Sequence, residues 1–255
     1  MSNYVKGVVD KYVLPELLDY TEKNTVFDPL CNHMDNWATR NGFSLTSKKL
    51  SGSRAKGTAI TLSSDLDIFI SLSSSTTAPL SAIYNALYDY ICSQKIQCKK
   101  QNVSIGVVYN NKSVDLVPGK RQHQHGDDHS LWKNRKNTWT QTNITTHINT
   151  VRNSNRTVEI MATKIWRKQH ALDFPSLFLE LAVLEASKYR TYHDYDNNFW
   201  EVLGWLSSNI MTVRIIDPAN SNNIISDDIT NTEKNAIANK ARESRQKKNW
   251  NEVIW

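Results

Sequence analysis

Two acidic residues stand at the start of an apolar run in this 255-residue chain. The segment "DLDIFISL" begins with Asp65 and Asp67, and the β-branched and aromatic residues that follow are typical of a buried strand. Alternate side chains of a strand point to one face, so the two acids share a face while Leu66 and Ile68 take the other. Like charges this close repel each other, and both ionise only when something compensates them. A divalent cation is the usual compensation.

A third acid stands in a second apolar segment. Asp115 lies in "SVDLVPG", where Val114 and Leu116 would take the opposite face of a strand. Carboxylate oxygens are ligands that Mg²⁺ prefers, and Mg²⁺ completes its coordination with water and phosphate oxygens. Three carboxylates from two neighbouring strands suit phosphoryl or nucleotidyl transfer, in which one metal ion activates the attacking hydroxyl and a second steadies the leaving pyrophosphate.

The residues upstream of the first two acids decide between this hypothesis and ordinary surface polarity. An Asp-x-Asp pattern alone is more often a turn signal or a polar surface feature. Here Gly52 and Ser53 precede a short helix that is predicted around Lys56–Ala59. Backbone N–H groups and a hydroxyl at the start of a helix can hold phosphate oxygens. The Gly-Ser turn, the helix start and the acids on two strands together predict a site for a phosphorylated substrate.

The composition is that of a globular protein with a basic surface. Its formal net charge of +6 suits a polyanionic ligand but also suits an ordinary basic protein. No apolar stretch approaches the roughly 20 residues that cross a bilayer, and the first residues contain no apolar signal-peptide segment. Cys31, Cys92 and Cys98 have no metal-type spacing and are expected to be free thiols of a reducing compartment. We therefore expect a cytoplasmic protein without a membrane partner.

The periodicity predicts an α+β fold with two lobes. Residues 1–138 are expected to form a small mixed β-sheet lobe that includes N-terminal helices, which Pro15 interrupts. Residues 139–255 show helical spacing and are expected to form a helical lobe. The boundary is placed in the polar stretch Gly119–Thr138, which is predicted to be a loop. A strand is predicted over Cys98–Tyr109.

Several of these segments resemble the signature of a known superfamily. The stretches "GSRAKGTAI", "SDLDIFI" and "SVDLVP" resemble the motifs of the DNA polymerase β nucleotidyltransferases. In the second half, "MATKIWRK" and "FPSLFLELAVLEA" are similar to the paired helices of oligoadenylate synthetases, bacterial CD-NTases and archaeal-type CCA-adding enzymes. The stretch "RIIDPANSNNIISDD" resembles the Asp-Pro segment that follows those helices. The resemblance runs from about Leu50 to Asp228.

This resemblance implies roles for particular residues in the first half of the chain. Asp65, Asp67 and Asp115 would bind two Mg²⁺ ions, which Mn²⁺ can replace. Gly52 and Ser53 would hold the triphosphate of ATP or of another nucleoside triphosphate.

Two positions in the second half bear on the nucleotide. The resemblance implies that Lys164, on the first of the paired helices, reaches the triphosphate. Where oligoadenylate synthetases place an aromatic residue that stacks on the base, this chain has Leu177, followed by Phe178. That departure argues against a firm adenine preference. The tRNA-gripping tail of CCA-adding enzymes and the zinc-ribbon insertion of cyclic GMP-AMP synthase are not recognisable in the sequence.

The resemblance therefore implies a magnesium-dependent nucleotidyltransferase that joins a nucleoside monophosphate to a hydroxyl acceptor and releases pyrophosphate. We expect a second nucleotide as the acceptor, which gives a short linear or cyclic oligonucleotide. Two alternatives stay open within the enzyme class: addition of nucleotides to an RNA 3′ end, and nucleotidylation of a protein. RNA could thus serve as acceptor or activator. A nucleotide-binding module without turnover is the alternative outside the class, and the three intact acids argue against it.

Two further polar clusters are interpreted as ordinary surface. The stretch "RQHQHGDDH" gathers three histidines and two aspartates, but their spacing matches no type of metal site, so a polar loop is predicted. The basic segment "NKARESRQKKNW" is expected to be a solvated helix face rather than an RNA contact, because no aromatic residue is interleaved with its charges.

Overall fold

The described part of the chain, residues 3–63 and 65–255 of a computed structural model, contains ten α-helices and nine β-strands. The helices are α1 (Tyr4–Tyr12), α2 (Tyr20–Glu22), α3 (Asp28–Asn41), α4 (Gly52–Lys56), α5 (Leu80–Ser93), α6 (Ile144–Arg152), α7 (Thr157–Gln169), α8 (Ser176–Ala186), α9 (Tyr195–Asn209) and α10 (Asn231–Ser244). The strands are β1 (Leu45–Leu50), β2 (Leu66–Leu72), β3 (Gln97–Lys100), β4 (Ile105–Tyr109), β5 (Lys112–Arg121), β6 (His129–Lys133), β7 (Thr138–Thr142), β8 (Ile216–Asp217) and β9 (Asn220–Ile224). None of these helices is both long enough and apolar enough to cross a membrane.

These elements form two compact units, here named the sheet unit and the helical unit. The sheet unit contains Pro15–Ala55 and the segment that ends at Ile148. The helical unit contains the segment that ends at Leu14, together with Lys56–Ser63 and Asn149–Trp255. Helices α4 and α6 therefore contain residues of both units.

A mixed sheet forms the centre of the sheet unit. Its strand order is β1-β2-β5-β4-β3, with β6 paired to β5 and β7 paired to β6. Strands β2 and β5 are parallel, and the other neighbours in this sheet are antiparallel. Every residue of β2 except Asp67 is buried, which is usual for a parallel strand that is covered on both faces.

Helices α3 and α5 complete the core of the sheet unit. Ile83, Leu87 and Ile91 recur at helical spacing and are buried on one face of α5. Helix α3 buries Trp37 and ends at Asn41. Gly42 caps it, with a φ of +66° in the left-handed region that glycine adopts without strain.

A hydrophobic core of mainly aliphatic side chains holds the helical unit together. Trp166 of α7 and Phe178 of α8 are fully buried in it. The amides of Tyr4 and Val5 donate to the carboxylate of Asp196 on α9, at 3.2 and 2.8 Å. Those amides lie in the first turn of α1, where backbone N–H groups have no acceptor within their own helix. The start of α1 is therefore fixed to α9.

The predicted α+β fold class is confirmed, whereas the units divide the chain differently from the predicted lobes. Helix α1 and Lys56–Ser63 belong with the C-terminal helices, and the division follows Ile148 rather than residue 138. The predicted loop Gly119–Thr138 contains the end of β5, all of β6 and the start of β7. Its many polar residues hid a strand pattern that depends on cross-strand pairing. The strand predicted over Cys98–Tyr109 is two strands, β3 and β4, with a turn between them.

Two of the cysteines are joined, so the expectation of three free thiols is wrong. Cys92 and Cys98 form a disulfide, with Cα atoms 6.2 Å apart. The turn after α5, in which Lys95 has a φ of +60°, leads the chain back into β3 and brings the two residues together. Cys31 is free, and burial raises the pKa of its thiol to about 11. The cysteines therefore give no argument for a reducing compartment.

We expect protein that is purified without reductant and then denatured to titrate one thiol with Ellman's reagent, because only Cys31 is free. After full reduction it should titrate three. The Cys92→Ser variant should titrate two thiols without reduction, since Cys98 loses its partner. Three thiols in the unreduced wild type would contradict the disulfide.

Candidate active site

Two of the three predicted metal acids lie side by side. Asp67 on β2 and Asp115 on β5 are register partners in the parallel pair, so their side chains leave the same face of the sheet. Both are half-buried. Asp65 directly precedes β2 and is exposed. The alternation seen in the sequence thus leads to two neighbouring carboxylates, with the third acid just outside the strand that contains Asp67.

The pKa of Asp115 shows that these acids interact. Burial raises the pKa of its carboxyl, and the negative charge of Asp65 raises it further, while hydrogen bonds from Ser104 and Gln101 act in the opposite direction. A partly buried carboxylate beside a second acid is costly to ionise, and a bound cation would remove that cost. Because the donors are all carboxylate oxygens, the cation that they suit is a hard one such as Mg²⁺.

The three carboxylates are not arranged as a preformed metal site. Within residues 3–63 and 65–255, no group of three or more His, Cys, Asp or Glu side chains is arranged so that it could hold a metal ion. Binding of one ion by all three acids would therefore require their side chains to turn toward each other.

The Gly-Ser turn lies directly against the first acidic strand. The helix expected around Lys56–Ala59 instead begins at Gly52 and ends at Lys56, so Gly52 and Ser53 lie within it. Gly52 has a φ of +58°, and a Cβ atom at this position would overlap the carboxylate of Asp67. The backbone amide of Ser51 donates to the carbonyl of Asp67 at 2.9 Å. Only glycine meets both the backbone and the space requirements here. The predicted phosphate-binding residues Gly52 and Ser53 are thus next to the predicted metal acid Asp67.

Gln101 is a neighbour of the acids that the sequence analysis missed. Its Nε2 donates to Oδ1 of Asp115 at 2.9 Å. Both residues, together with Asp65 and Lys99, help to line a cavity of about 250 Å³ beside β3, β4 and β5. A glutamine in a turn carries no motif, and this turn lay inside a segment predicted as one strand. The asparagine and serine in "QNVS" are the sequence signal that could have revealed the turn.

Lys164 is enclosed by partners within the helical unit. Its Nζ donates to Oε1 of Glu180 at 2.7 Å and to Oγ1 of Thr58 at 2.8 Å. The other oxygen of Glu180 accepts from Nζ of Lys56, also at 2.7 Å. Lys164 is only 2% exposed, so its ammonium does not project into solvent as an unpaired cation. Its role in binding a triphosphate stays a prediction.

The two lysines control the ionisation of Glu180. Burial alone would raise the pKa of this carboxyl, but the charges and hydrogen bonds of Lys164 and Lys56 lower it to about 2. Glu180 therefore stays ionised at neutral pH in a fully buried position. The sequence analysis assigned no role to Glu180 or Lys56, because the partners are far apart in the chain.

The histidine-rich stretch is divided between loop and strand. His123 and His125 are exposed, which agrees with the predicted polar loop. His129 instead begins β6 and is buried, with its Nε2 2.7 Å from Oγ of Ser71 and its Nδ1 2.8 Å from the carbonyl of Asp127. Burial lowers the pKa of His129, so this ring serves as a neutral hydrogen-bonding group in the sheet unit.

The fold matches that of known nucleotidyltransferases. No protein-family model matches the sequence, and no curated protein is similar to it in sequence. CdnC of Escherichia coli MS115-1, solved with ATP, is 19% identical with a TM-score of 0.74, and the match covers 95% of this chain and 89% of that chain. CdnE of Elizabethkingia meningoseptica, a cyclic dinucleotide synthase solved with GTP and Apcpp, is 11% identical with a TM-score of 0.64 over 95% and 98%. The Cid1 poly(U) polymerase bound to MgATP is 11% identical with a TM-score of 0.66 over 95% and 92%.

These similarities define the class of fold. In its fold this chain is similar to CdnC and CdnE, two bacterial proteins, and to the Cid1 poly(U) polymerase. The match extends over nearly the whole of each chain, so both the sheet unit and the helical unit have counterparts in these structures.

Replacement of Glu180 by glutamine should lower the free energy of unfolding by about 3–5 kcal/mol at pH 7, because two buried or nearly buried ammonium groups lose their counter-charge. Urea unfolding measures the effect. Glu185→Gln, an exposed change on the same helix, is the matched control and should shift the free energy by less than about 0.5 kcal/mol.

The difference between wild type and Glu180→Gln should also depend on pH. The carboxyl of Glu180 has a folded pKa of about 2 against an ordinary value of 4.5. The contribution of ionised Glu180 to the free energy of unfolding is therefore complete above about pH 4.5 and declines as the pH falls toward 2. Unfolding at pH 7 and pH 3 should show a smaller gap between the two proteins at pH 3. An equal gap at both pH values would contradict the ionised state of Glu180.

Proposed function

We propose that this protein is a magnesium-dependent nucleotidyltransferase that transfers a nucleoside monophosphate from a nucleoside triphosphate to a hydroxyl group. The observation that carries the proposal is the register pairing of Asp67 with Asp115, with Asp65 directly before the strand that contains Asp67. The likeness of the whole fold to nucleotidyltransferases supports it.

Asp65, Asp67 and Asp115 are the proposed ligands of the metal. When bound, Mg²⁺ would supply positive charge at the reacting phosphate and lower the pKa of the attacking hydroxyl. The raised pKa of Asp115 supports this assignment, because burial and the charge of Asp65 leave the cluster in need of a cation.

Gly52 and Ser53 are proposed to hold the triphosphate. They begin α4, and the first N–H groups of a helix have no acceptor within the helix. Such groups, together with the hydroxyl of Ser53, suit phosphate oxygens. The close approach of Gly52 to Asp67 would place the phosphates next to the metal acids. The acceptor oxygen would then form a bond to the α-phosphorus as the bond to pyrophosphate breaks, and no side chain has to act as the nucleophile.

If Lys164 bound the triphosphate directly, the phosphate would have to compete with the partners that its ammonium already has. Its ammonium already bonds to Glu180 and Thr58 in a buried position. A nucleotide phosphate would have to draw Lys164 away from the buried carboxylate of Glu180. That exchange is unfavourable unless the ion pair with Lys56 is then enough to compensate the charge of Glu180.

We expect Asp67→Asn to retain less than a few per cent of the transfer activity, because the neutral amide removes one of the negative charges that would hold Mg²⁺. The thermal unfolding temperature should not fall, since removal of one acid relieves repulsion from its neighbours. Pyrophosphate release with nucleoside triphosphates and Mg²⁺ is the measurement. Asp89→Asn, an exposed change on α5, is the matched control and should keep full activity. Substantial turnover by Asp67→Asn would contradict the metal assignment.

The proposed acceptor is a second nucleotide, which would give a short linear or cyclic oligonucleotide. The likeness to a cyclic dinucleotide synthase supports this choice. The likeness to a poly(U) polymerase favours a second candidate, the addition of nucleotides to an RNA 3′ end. Both reactions use the same acids and the same leaving group, so they differ only in the molecule that supplies the hydroxyl.

Incubation with the four nucleoside triphosphates and Mg²⁺ distinguishes these acceptors. We expect pyrophosphate and a small oligonucleotide to form without RNA, and mass spectrometry of the products would identify it. Asp67→Asn is the negative control. An RNA acceptor would instead make turnover dependent on added RNA, and that turnover would weaken steeply as salt displaces phosphate contacts. RNA that gains mass, with no small product under any condition, would overturn the preference for a nucleotide.

A further inference from the structure

The amide of Gln101 is oriented by contacts at both of its ends. Its Nε2 donates to Oδ1 of Asp115 at 2.9 Å, and its Oε1 accepts from Oγ of Ser104 at 3.2 Å. An amide has donors on one side and an acceptor on the other, so these two contacts together favour a single orientation. In that orientation the donor faces Asp115.

The backbone around Gln101 is held by a buried tyrosine. The hydroxyl of Tyr84 lies 2.8 Å from the carbonyl oxygen of Gln101 and 3.0 Å from that of Ser104, and it donates toward them. The backbone N–H of Gln101 in turn donates to the backbone carbonyl of Ser104 at 3.0 Å. Tyr84 is fully buried on α5, so this turn between β3 and β4 is tied to the core. The side chain of Gln101 therefore starts from a fixed position.

A glycine on the intervening strand leaves space for this side chain. Gly106 on β4 is the register partner of Asp115 on β5 and of Lys99 on β3. A Cβ atom on Gly106 would overlap Nε2 of Gln101. The glycine is not required by the backbone, because its φ is outside the left-handed region. What it provides is room for the Gln101 amide to reach Asp115.

A neutral donor suits this position beside a metal acid. A lysine or arginine at the same place would pair with the carboxylate of Asp115 and compete with a cation. An amide fixes the direction of the carboxylate while leaving its charge in place. Groups that orient metal ligands in this way typically contribute 10- to 100-fold to metal affinity or activity.

We propose that Gln101, with Gly106 leaving space for it, is a positioning residue that orients the carboxylate of Asp115 for metal binding. The proposal rests on the proposed function, because it takes Asp115 to be a metal ligand. It assigns to Gln101 no contact with the reacting atoms.

Two different substitutions break the same hydrogen bond. Gln101→Met keeps the length of the side chain and removes its amide. Gly106→Ala keeps Gln101 but fills the space that its amide occupies, and the flexible end of Gln101 can move aside. Gln124→Met, an exposed change between β5 and β6 and outside the cavity that Gln101 lines, is the matched control. Each variant is made in the full chain, and its thermal unfolding temperature is compared with that of the wild type.

Titration with Mn²⁺, followed by the electron paramagnetic resonance signal of the free ion, measures metal affinity without turnover. We expect Gln101→Met and Gly106→Ala each to weaken Mn²⁺ binding by about tenfold, while Gln124→Met leaves it unchanged. The double variant should be no weaker than either single variant, because both changes remove one interaction. In pyrophosphate release, kcat should fall by about tenfold while KM for the nucleotide stays within twofold.

Failure of this inference can be distinguished from failure of the proposed function. Normal Mn²⁺ binding and normal kcat in Gln101→Met would overturn the positioning role and leave the metal site intact. If the double variant lost as much Mn²⁺ affinity as the two single variants together, the positioning role would also be overturned, because the two residues would then act separately. A wild type that binds no Mn²⁺ would overturn the metal assignment and this inference with it. A lower unfolding temperature with unchanged Mn²⁺ affinity would assign Gln101 to the fold alone.

Discussion

The parallel pairing of β2 with β5 is the constraint on which the candidate site depends. It sets Asp67 directly beside Asp115 on one face of the sheet, although backbone pairing would gain nothing from two neighbouring acids. The apolar residues of the two strands, such as Ile68 and Leu116, are buried on the other face and fix the register. A slip by one residue would send every acid to the core face, which burial forbids. Hydrophobic packing thus holds together carboxylates that would otherwise repel each other.

Features encoded by short-range patterns could be predicted from the sequence. The alternation in "DLDIFISL" was enough to predict that Leu66 and Ile68 take the face opposite Asp67, and both are buried. The glycine at position 52 was enough to predict an unusual backbone conformation there. The structure adds that a side chain at this position would overlap the carboxylate of Asp67. These signals lie within a few residues of each other, so no knowledge of the rest of the fold is needed to interpret them.

Features that depend on distant partners could not be predicted. Lys164 was expected to face a triphosphate, but its nearest acceptor is Glu180 on the next helix, and Lys56 shares that acceptor from another part of the chain. A lone lysine on a helix gives no indication of such a partner. The β6–β7 hairpin and the pairing of Cys92 with Cys98 were missed for a similar reason, since polar strands and helix-to-strand turns acquire their meaning only from what they pack against. Gln101 belongs to the same group, because its significance comes from Asp115.

The crossover between β2 and β5 also determines when the acids can meet during folding. Helix α5 and the strands β3 and β4 lie between these two strands in the chain, whereas β5 pairs with both β2 and β4 in the sheet. The hairpin of β4 and β5 closes a short loop, but the β2–β5 contact has to wait until the intervening chain is bridged, which carries a larger entropy cost. A growing chain that has not yet completed β5 therefore contains Asp67 but cannot yet place Asp115 beside it. The like charges approach each other only once the hydrophobic strands are able to hold them there.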